Sequence, residues 1–361
     1  MDILIYNWRD IKNPSAGGAE VFTHEISKRL VRFGHHVSLF TSSYKGSMSK
    51  EVLDGITIHR GGNRYNVYFK AKDYYAKNRG SFDIIIDEIN TRPFMTPKFV
   101  NDGTPIVALI HQLAREFWFH ETPFPINFIG YHYLENKWLQ NYAKIPTMTV
   151  SNSTKQDLIE LGFENISLIP EGLNIHPLSK VPEKEINPTL IFVGRMGRAK
   201  RPDHAVKAFA IAKEKFPNLQ LWMVGDGAMK QSLEREQVED VTFYGHLRKD
   251  VKYNLMSRAH ALLVPGVREG WGLVVTEANA MGTPALGYNI NGLRDSIING
   301  RTGILSDPNP NALATVVINF MNDIEIQSRL SIEALLFARK FNWDKSTAEF
   351  LKVIKKNLDR D

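Results

Sequence analysis

Short apolar runs alternate with longer amphipathic stretches along the whole chain. Several of the short runs are rich in Ile, Val and Leu and apolar on both faces, which is typical of strands in a parallel sheet that helices cover on both sides. In the first half of the chain the pattern predicts strands at residues 3–6, 37–40, 56–58, 84–86, 106–110, 147–150 and 166–169. In the second half it predicts strands at residues 190–193, 219–224, 241–244, 261–264 and 284–287.

Stretches with apolar residues three or four positions apart lie between these strands and predict helices. The first predicted helix is marked by four such positions and a closing glycine: Phe22, Ile26, Leu30, Phe33 and Gly34. Further helices are predicted at residues 203–215 and 272–281, and the proline-rich residues 174–188 predict a linker. The alternation predicts an α/β fold of two doubly wound, Rossmann-like domains. Because ligands bind beyond the carboxyl ends of such strands, the cleft between the domains is the expected site.

The amino-acid composition excludes several classes of protein. The 361 residues are enough for two domains, and 43% hydrophobic with 23% charged residues excludes a mostly disordered chain. Cysteine is absent, which excludes a disulfide scaffold, a cysteine-ligated zinc site and a thiol nucleophile. No apolar run reaches the ~18 residues that a membrane-spanning helix needs, and the first residues predict a strand instead of a signal peptide. We therefore expect a cytoplasmic protein.

The net charge of +6 is concentrated in one segment. Residues 60–79 hold six basic residues and one acid, Asp73, interleaved with aromatic residues. Residues 115–140 form a second aromatic-rich segment. Together the two segments fit an acceptor-binding mouth or a surface that lies on an anionic membrane, and a solvated helix face with core aromatics is the alternative. Nucleic acid is not expected as a partner because the charge excess is modest and local.

Gly17 and Gly18 lie between the first predicted strand and the first predicted helix. Paired glycines let a ligand approach backbone amides, and a helix N-terminus favours an anion. A tight strand-to-helix turn would use the same residues. The dinucleotide fingerprint Gly-x-Gly-x-x-Gly does not occur at this position.

Two cations, Arg195 and Lys200, follow the first predicted strand of the second half. Arginine offers a planar fork of donors and lysine a point charge, so the two could converge on one diphosphate. In that position they would neutralise the negative charge of the diphosphate, as a divalent metal ion does. A solvated basic loop is the alternative interpretation.

Two carboxylates eight positions apart, Glu269 and Glu277, form the strongest pattern. Gly270 and Gly272 lie between them, where a strand gives way to a helix. A carboxylate suits a vicinal diol, and glycines at a helix N-terminus expose amides to an anion. The combination indicates a site for a nucleotide sugar.

These motifs, taken in order, resemble those of the retaining glycosyltransferases of family 4, which have the GT-B fold. The family's Glu-x7-Glu signature is matched by Glu269-Gly270-Trp271-Gly272-Leu273, Glu277-Ala278 and Gly282-Thr283-Pro284. Its other motifs are matched by Gly17-Gly18, Gly194-Arg195, Lys200, residues 150–154, residues 170–172 and Gly225-Asp226-Gly227. The chain departs from the family pattern at Trp271, Gly266 and Asn279, which bear on the shape of the sugar pocket.

The resemblance implies a role for each matching residue. Arg195 and Lys200 would hold the donor diphosphate, Glu277 the ribose, and Glu269 the transferred sugar. The implied catalytic residues are His111, Glu269, Arg195 and Lys200. The implied substrate-binding residues are Gly17, Gly18, Asp226, His246, Leu247, Gly270, Trp271, Gly272, Leu273, Val274 and Glu277.

The resemblance also implies an acceptor-side domain at residues 1–175, onto which residues 341–361 pack back, and a donor domain at residues 186–340. The implied reaction moves a hexose, with retained configuration, from a UDP- or GDP-sugar to a hydroxyl of a glycan or lipid-linked acceptor in cell-envelope or glycoconjugate biosynthesis. We expect no metal and no other cofactor. The pattern Asp-x-Asp, which could hold a metal ion, occurs only at residues 359–361, at a terminus that is expected to fray. Peripheral association would occur at the inner face of the cell membrane. The alternatives are a nucleotide-sugar epimerase of GT-B fold and a non-catalytic sugar-nucleotide-binding partner subunit.

Overall fold

The computed structural model describes residues 1–358, so the Asp-x-Asp sequence at residues 359–361 lies outside the described residues. The chain divides into two compact units. The first comprises Met1–Trp118, Phe124–Gly172 and the C-terminal segment that begins at Asn342. The second comprises Phe119–Pro123 and Leu173–Phe341. The first unit is therefore assembled from both ends of the sequence.

A twisted sheet forms the centre of the first unit. Its strands are β1 (Asp2–Tyr6), β2 (His36–Thr41), β3 (Lys50–Leu53), β4 (Ile56–Arg60), β5 (Ile84–Glu88), β6 (Ile106–Leu109), β7 (Thr147–Thr149) and β8 (Ile166–Leu168). Their order is β3-β4-β2-β1-β5-β6-β7-β8. Neighbouring strands are parallel except for the antiparallel pair β3 and β4. The central strands are buried on both faces, as their apolar runs predict.

Helices connect the parallel strands of the first unit. Within residues 1–172 they are α1 (Gly18–Arg32), α2 (Val67–Lys77), α3 (Phe117–Glu121), α4 (Ile126–Ile129), α5 (Glu135–Leu139) and α6 (Asn152–Glu160). The first begins where predicted and buries Phe22, Ile26 and Leu30. The chain leaves it through Gly34 at a φ of 85°, a conformation that suits glycine.

The second unit repeats the architecture with an all-parallel sheet. Its strands are β9 (Thr189–Val193), β10 (Gln220–Val224), β11 (Val241–Gly245), β12 (Ala261–Val264), β13 (Ala285–Tyr288) and β14 (Gly303–Ser306), in the order β11-β10-β9-β12-β13-β14. Its helices are α7 (Pro202–Lys213), α8 (Lys230–Arg235), α9 (Lys249–Arg258), α10 (Leu273–Ala280), α11 (Leu293–Ser296), α12 (Pro310–Asn322) and α13 (Ile324–Ala338).

The last helix, α14 (Trp343–Leu358), belongs to the first unit and packs against α1. It buries Trp343, Phe350 and Ile354, whose spacing places them on one face. The Trp343 ring meets the Phe22 ring edge-on at 5.7 Å between centroids. Burial of these large side chains holds α14 against α1.

The predicted α/β fold of two Rossmann-like units is confirmed, and each predicted strand has a counterpart whose bounds differ by no more than two residues. Residues 174–188, all described, contain neither helix nor strand, as the linker prediction requires. The prediction omitted β3 and β14. β3 has the sequence Lys-Glu-Val-Leu and forms the sheet edge, where charged residues replace a buried apolar run.

Candidate functional site

The predicted donor-binding residues lie in loops at the carboxyl ends of neighbouring strands of the second unit. The loop after β9 carries Arg195, which is exposed, and ends in a short turn at Lys200. The loop after β10 contains Gly225-Asp226-Gly227, and the loop after β12 carries Glu269. Because the sheet is parallel, all these loops leave it at one edge.

Glycine lets the loops after β9 and β10 come into direct contact. Gly225 has a φ of 130°, and a Cβ on it would collide with the carbonyl oxygen of Gly194. Gly227 has a φ of 153°, and a Cβ there would lie 2.6 Å from the carbonyl oxygen of Met196. The Met196 amide donates to the Asp226 carbonyl at 2.8 Å. The two loops thus form one continuous surface.

Lys200 and Glu269 meet directly, although they are 69 positions apart in the sequence. The Lys200 ammonium donates to Glu269 Oε1. The Val267 amide donates to the Ala199 carbonyl at 2.9 Å, which holds the two loops in register. Gly266 leaves room for the Glu269 carboxylate, because a Cβ at this position would lie 3.1 Å from Glu269 Oε1. The structure therefore brings together a cation and a carboxylate that the sequence singled out separately.

Glu277 lies in α10 and is held by two residues of α9 that the sequence analysis missed. Lys252 Nζ donates to Glu277 Oε2 at 2.8 Å, and the Tyr253 hydroxyl donates to Oε1 at 3.0 Å. Burial, followed by the charge of Glu277, raises the pKa of Tyr253, so its hydroxyl stays protonated and can donate. Spacing along the chain gives no signal for these partners, because they come from a different helix.

The glycine-rich approach to α10 forms a turn that leads into the helix. Gly272 caps the helix with a φ of 87°, which leaves the Leu273 and Val274 amides in the first turn. Trp271 packs edge-on against Phe341 at 5.4 Å between ring centroids. Gly292 lies so close to the Glu269 backbone that a Cβ there would collide with it.

Two further predicted contacts follow β11. His246 is exposed and Leu247 is partly buried. The Gly225 amide donates to the Gly245 carbonyl at 2.8 Å, so the ends of β10 and β11 are joined. The Asp226 carboxylate accepts from the Gly227 amide at 2.8 Å, which fixes its own loop.

In the first unit, the glycine pair forms the start of α1. Gly17 caps the helix, and its amide donates to Glu20 Oε2 at 2.5 Å. Gly18 is the first residue of the helix. Glu20 also pairs with Arg9, whose Nε lies 3.0 Å from Oε1.

His111 lies at the end of β6, 6% exposed, with a carboxylate facing each ring nitrogen. Nε2 lies 3.3 Å from Glu88 Oε1, and Nδ1 lies 3.9 Å from Glu171 Oε1. Phe22 meets the imidazole edge-on, and the Thr154 hydroxyl donates to the His111 carbonyl at 3.1 Å. Neither glutamate was predicted from the sequence as a site residue; the one signal for Glu171 was its position within residues 170–172, which match a family motif.

Burial and charge act against each other in this cluster. Burial alone lowers the pKa of His111, but the nearby Glu88 carboxylate, then the charges of Glu171 and Glu20, outweigh it and raise the pKa above its ordinary value. Burial raises the pKa of Glu171 to about 7, against the opposing effect of His111. Burial also raises the pKa of Glu88.

The basic and aromatic segments share a surface of the first unit. The Arg92 guanidinium lies 4.4 Å from the ring centroid of Tyr68 and 5.4 Å from that of Phe69, both in α2. It also lies 6.0 Å from the ring centroid of Trp138 in α5. Arg92 therefore joins the two segments. Arg60, counted among the basic residues of this region, is instead buried against Asp10.

Large apolar side chains protrude from this surface. We define the aromatic surface by its most exposed members from the two segments: Tyr65, Phe69, Phe124, Phe128 and Tyr133. Phe124 is 79% exposed. Within residues 1–358, no helix is both long and apolar enough to span a bilayer, and no group of three or more potential metal ligands is assembled.

In a comparison with known proteins, a family model matches each half of the chain. The model for "Glycosyltransferase Family 4" matches residues 16–176, and that for "Glycosyl transferases group 1" matches residues 178–337. The glycogen synthase of Mycobacterium tuberculosis is 29% identical over 383 aligned residues, covering 95% of this chain and 92% of that protein. Sucrose-phosphate synthase of Thermosynechococcus elongatus superposes with a TM-score of 0.79 at 19% identity, covering 98% of each chain. Anabaena HepE in complex with UDP-glucose superposes with a TM-score of 0.71 at 16% identity, covering 99% of this chain and 100% of that chain.

Proposed function

The chain belongs to glycosyltransferase family 4 and has the GT-B fold, and on that premise we propose that it transfers a hexose from a UDP- or GDP-sugar to an acceptor hydroxyl with retention of configuration. The observation that carries the proposal is the contact between Lys200 and Glu269 across the ends of β9 and β12. This contact supports the proposal because a cation suited to a phosphate and a carboxylate suited to sugar hydroxyls lie side by side. The loop after β10 contacts the loop after β9, the loop that leads to Lys200.

Arg195 and Lys200 are proposed to hold the diphosphate of the donor. Two fixed cations stabilise the charge that develops on a leaving diphosphate, and they do so without the reorganisation that water would need. The glycine loops let the diphosphate approach backbone amides closely. Because two cations supply this charge, we propose that transfer needs no added divalent metal ion.

Glu277 is proposed to accept hydrogen bonds from the ribose, with Lys252 and Tyr253 holding its carboxylate in place. Glu269 and the amides of residues 270–274 are proposed to bind the transferred sugar. The loops that carry Asp226, His246 and Leu247 would bind the base, largely through backbone. The complex of HepE with UDP-glucose favours a UDP-sugar as the first donor to test.

In the proposed reaction, the bond between the anomeric carbon and the diphosphate oxygen breaks. A bond to the acceptor oxygen forms on the same face, and the acceptor proton passes to the leaving phosphate. The protein neutralises the diphosphate, orients the sugar and excludes water, which protects the cationic transition state from hydrolysis. The acceptor is proposed to be a glycan or a lipid-linked sugar.

The donor is identified by thermal unfolding with UDP, GDP, ADP and their sugars. A ligand at 100 times its dissociation constant stabilises the folded state by ~2.7 kcal/mol, which shifts the midpoint measurably. We expect stabilisation by one nucleotide and its sugar. Equal behaviour with all three nucleotides, or with none, contradicts the proposed donor site.

Transfer is then measured with Lys200→Ala and with Lys207→Ala as a matched control, since Lys207 is an exposed lysine of α7. We expect Lys200→Ala to lose about 100-fold or more in kcat, as removal of a single stabilising charge does in other enzymes. The control should behave as the wild type. Full activity of Lys200→Ala contradicts the role of the ion pair, and loss of turnover in EDTA contradicts metal independence.

We propose that the aromatic surface rests on an anionic membrane, where a lipid-linked acceptor would be presented. The supporting observations are its exposed rings and the basic residues of the same segment, a combination suited to lipid headgroups. Vesicles containing phosphatidylglycerol should bind the wild type at low salt and release it as salt rises. Phe124→Ser should weaken binding, and Val52→Ser, at an equally apolar exposed position on β3, should not. Absence of binding at low salt contradicts this part of the proposal.

A further inference from the structure

The first unit contains a buried charged cluster of Glu88, His111 and Glu171, and the proposed transfer gives the two glutamates no role. Glu88 ends β5, and His111 and Glu171 follow β6 and β8. They are 1%, 6% and 3% exposed. Neither Glu88 Oε1 nor Glu171 Oε2 accepts a conventional hydrogen bond from the described residues. Buried carboxylates in this state take up a proton or need a positive charge nearby.

The geometry around the imidazole indicates where that charge resides. Each ring nitrogen faces a carboxylate oxygen, at 3.3 Å from Glu88 and 3.9 Å from Glu171. A neutral imidazole carries one N–H and one lone pair, so one of the two carboxylates would face a lone pair. An imidazolium presents an N–H to both. The arrangement therefore favours the charged ring.

We propose that Glu88 and Glu171 are positioning residues that hold His111 as an imidazolium, and that this positive charge favours binding of the anionic donor. The second part of the inference rests on the glycosyl transfer proposed above. Glu88 and Glu171 act through His111 and touch no substrate.

The cluster is tied to the start of α1 by further contacts. The Thr23 hydroxyl in α1 donates to Glu88 Oε2. Glu20, three residues past the helix cap, accepts from the Gly17 amide and pairs with Arg9. With a neutral His111, Glu20 would keep its ion pair with Arg9, while Glu88 and Glu171 would lose the positive charge of the ring. The resulting excess of negative charge would oppose an anion at the helix N-terminus, which otherwise favours one.

The other groups around the ring do not supply a competing charge. Phe22 lies edge-on to it, and the Thr154 hydroxyl from α6 is directed at the His111 carbonyl. The charged groups that act on the ring are Glu88, Glu171 and Glu20, and all three raise the pKa of His111. Removing one of these carboxylates must lower it.

The first experiment measures the charge of His111 directly. Histidine labelled with ¹⁵N is titrated by NMR in the donor-free protein, and the signal of His111 is assigned by its loss in His111→Gln. We expect the titration midpoint of His111 to shift to lower pH in Glu171→Gln and in Glu88→Gln. Glu171→Asp should keep the wild-type midpoint, as should Glu164→Gln, whose carboxylate is exposed. An unchanged midpoint in both glutamine variants overturns the inference, and either variant alone suffices if the other fails to fold.

The second experiment measures the pH dependence of transfer from UDP-glucose. In Glu171→Gln the loss of activity on the basic side should begin at lower pH. At pH 8, the KM for UDP-glucose should rise about tenfold, corresponding to a shift of one pH unit, while kcat changes less. Glu171→Asp should restore the wild-type profile. A uniform loss at all pH values indicates a merely structural role and overturns the link to donor binding. If the wild type transfers no sugar, the proposed function fails, and the NMR titration still decides whether the carboxylates hold the charge.

Discussion

Buried polar side chains differ in how many of their hydrogen-bonding atoms have a partner in the protein. The Asp87 carboxylate accepts from the Tyr142 hydroxyl at 2.5 Å and from the Thr96 hydroxyl at 2.7 Å. Asn279, in α10, is fully buried, and neither atom of its amide has a hydrogen-bond partner among residues 1–358. A buried polar group without a partner costs about 1–3 kcal/mol. Asn279 is also a position at which the sequence departs from the family pattern.

Replacing Asn279 with Leu should therefore stabilise the protein, because a side chain of similar size removes the unpaired amide. We expect the free energy of unfolding to rise by about 1–2 kcal/mol, measured by urea denaturation. Asn254→Leu, at an exposed position of α9, serves as the control and should have little effect. A loss of stability in Asn279→Leu would show that the amide is satisfied by bound water.

Lys184 predicts a dependence of stability on pH. Its ammonium donates to the carbonyls of Ser257 and Gly282 and to the Thr283 hydroxyl, and burial lowers the pKa of Lys184 to about 7. Between that value and the pKa of 10.5 of a free lysine, the unfolded chain binds a proton that the folded chain does not. The free energy of unfolding contributed by this group should therefore rise with pH across that interval and be lowest below pH 7.

The measurement is urea denaturation between pH 7 and 10 for the wild type, Lys184→Met and Lys180→Met. The rise in the free energy of unfolding with pH that Lys184 causes should disappear in Lys184→Met. It should persist in Lys180→Met, because the side chain of Lys180 is exposed in the wild type. Parallel curves for all three proteins would contradict the lowered pKa. The proteins are compared by the slope of their free energy of unfolding against pH. A change in stability that is the same at every pH, caused by the lost hydrogen bonds, therefore does not affect the comparison.

Sequence patterns identify residues whose partners are close in the chain and miss those whose partners are not. The spacing of Glu269 and Glu277 and the glycines between them are visible in the sequence, because they lie on one loop and one helix. Lys252 and Glu171 are not, since their contacts arise from packing between elements that are far apart along the chain.

At the scale of secondary structure, the functional loops depend on glycines that allow close backbone contact. The loop after β10 can touch the loop after β9 only because Gly225 and Gly227 lack a Cβ. Both adopt positive φ angles, which other residues rarely take. The contact sets the position of the loop that carries Arg195.

Gly225→Ala should lower both stability and nucleotide binding, because the added Cβ collides with the Gly194 carbonyl and the φ of 130° is strained. Gly300→Ala is a matched control: Gly300 has a φ of 72°, but a Cβ there meets nothing within 4 Å. Thermal unfolding with and without UDP should show that Gly225→Ala loses its UDP-dependent shift while Gly300→Ala keeps it. Equal UDP shifts in the two variants would contradict the role of the loop contact.

Strands were predicted more completely than helices, for a physical reason. A strand buried on both faces needs an uninterrupted apolar run, and β1 and β5 have one. The helical stretch from Ile126 to Leu139 shows no clean period, because many of its aromatic residues are exposed and a π-helical segment, Gly130–Leu134, joins α4 to α5. A pattern based on burial could not have predicted it.

For the whole molecule, the discontinuous first unit is the feature with the widest effect. α14 returns to this unit and covers α1 with Trp343, Phe350 and Ile354. Gly172 lies against the Trp343 ring so closely that a Cβ would collide with it. The packing of residues near the end of the chain is therefore part of the core that also contains its first helix.

Trp343→Ala should destabilise the first unit by about 3–5 kcal/mol, as large-to-small substitutions in cores do. Lys345→Ala, on the exposed side of α14, should not. Hydrogen exchange should show lost protection in α1 and α14, with residues 189–338 unchanged. Uniform loss of protection in both units would contradict the assignment of α14 to the first.

The return of α14 also determines when this protein can finish folding during translation. The strands of the first unit are synthesised early, but the helix that covers α1 is synthesised only after the entire second unit. Until α14 emerges, the face of α1 that it covers stays open to water and to chaperones. Nascent chains stalled before Asn342 should consequently remain protease-sensitive in their N-terminal half, even when the second unit is already complete.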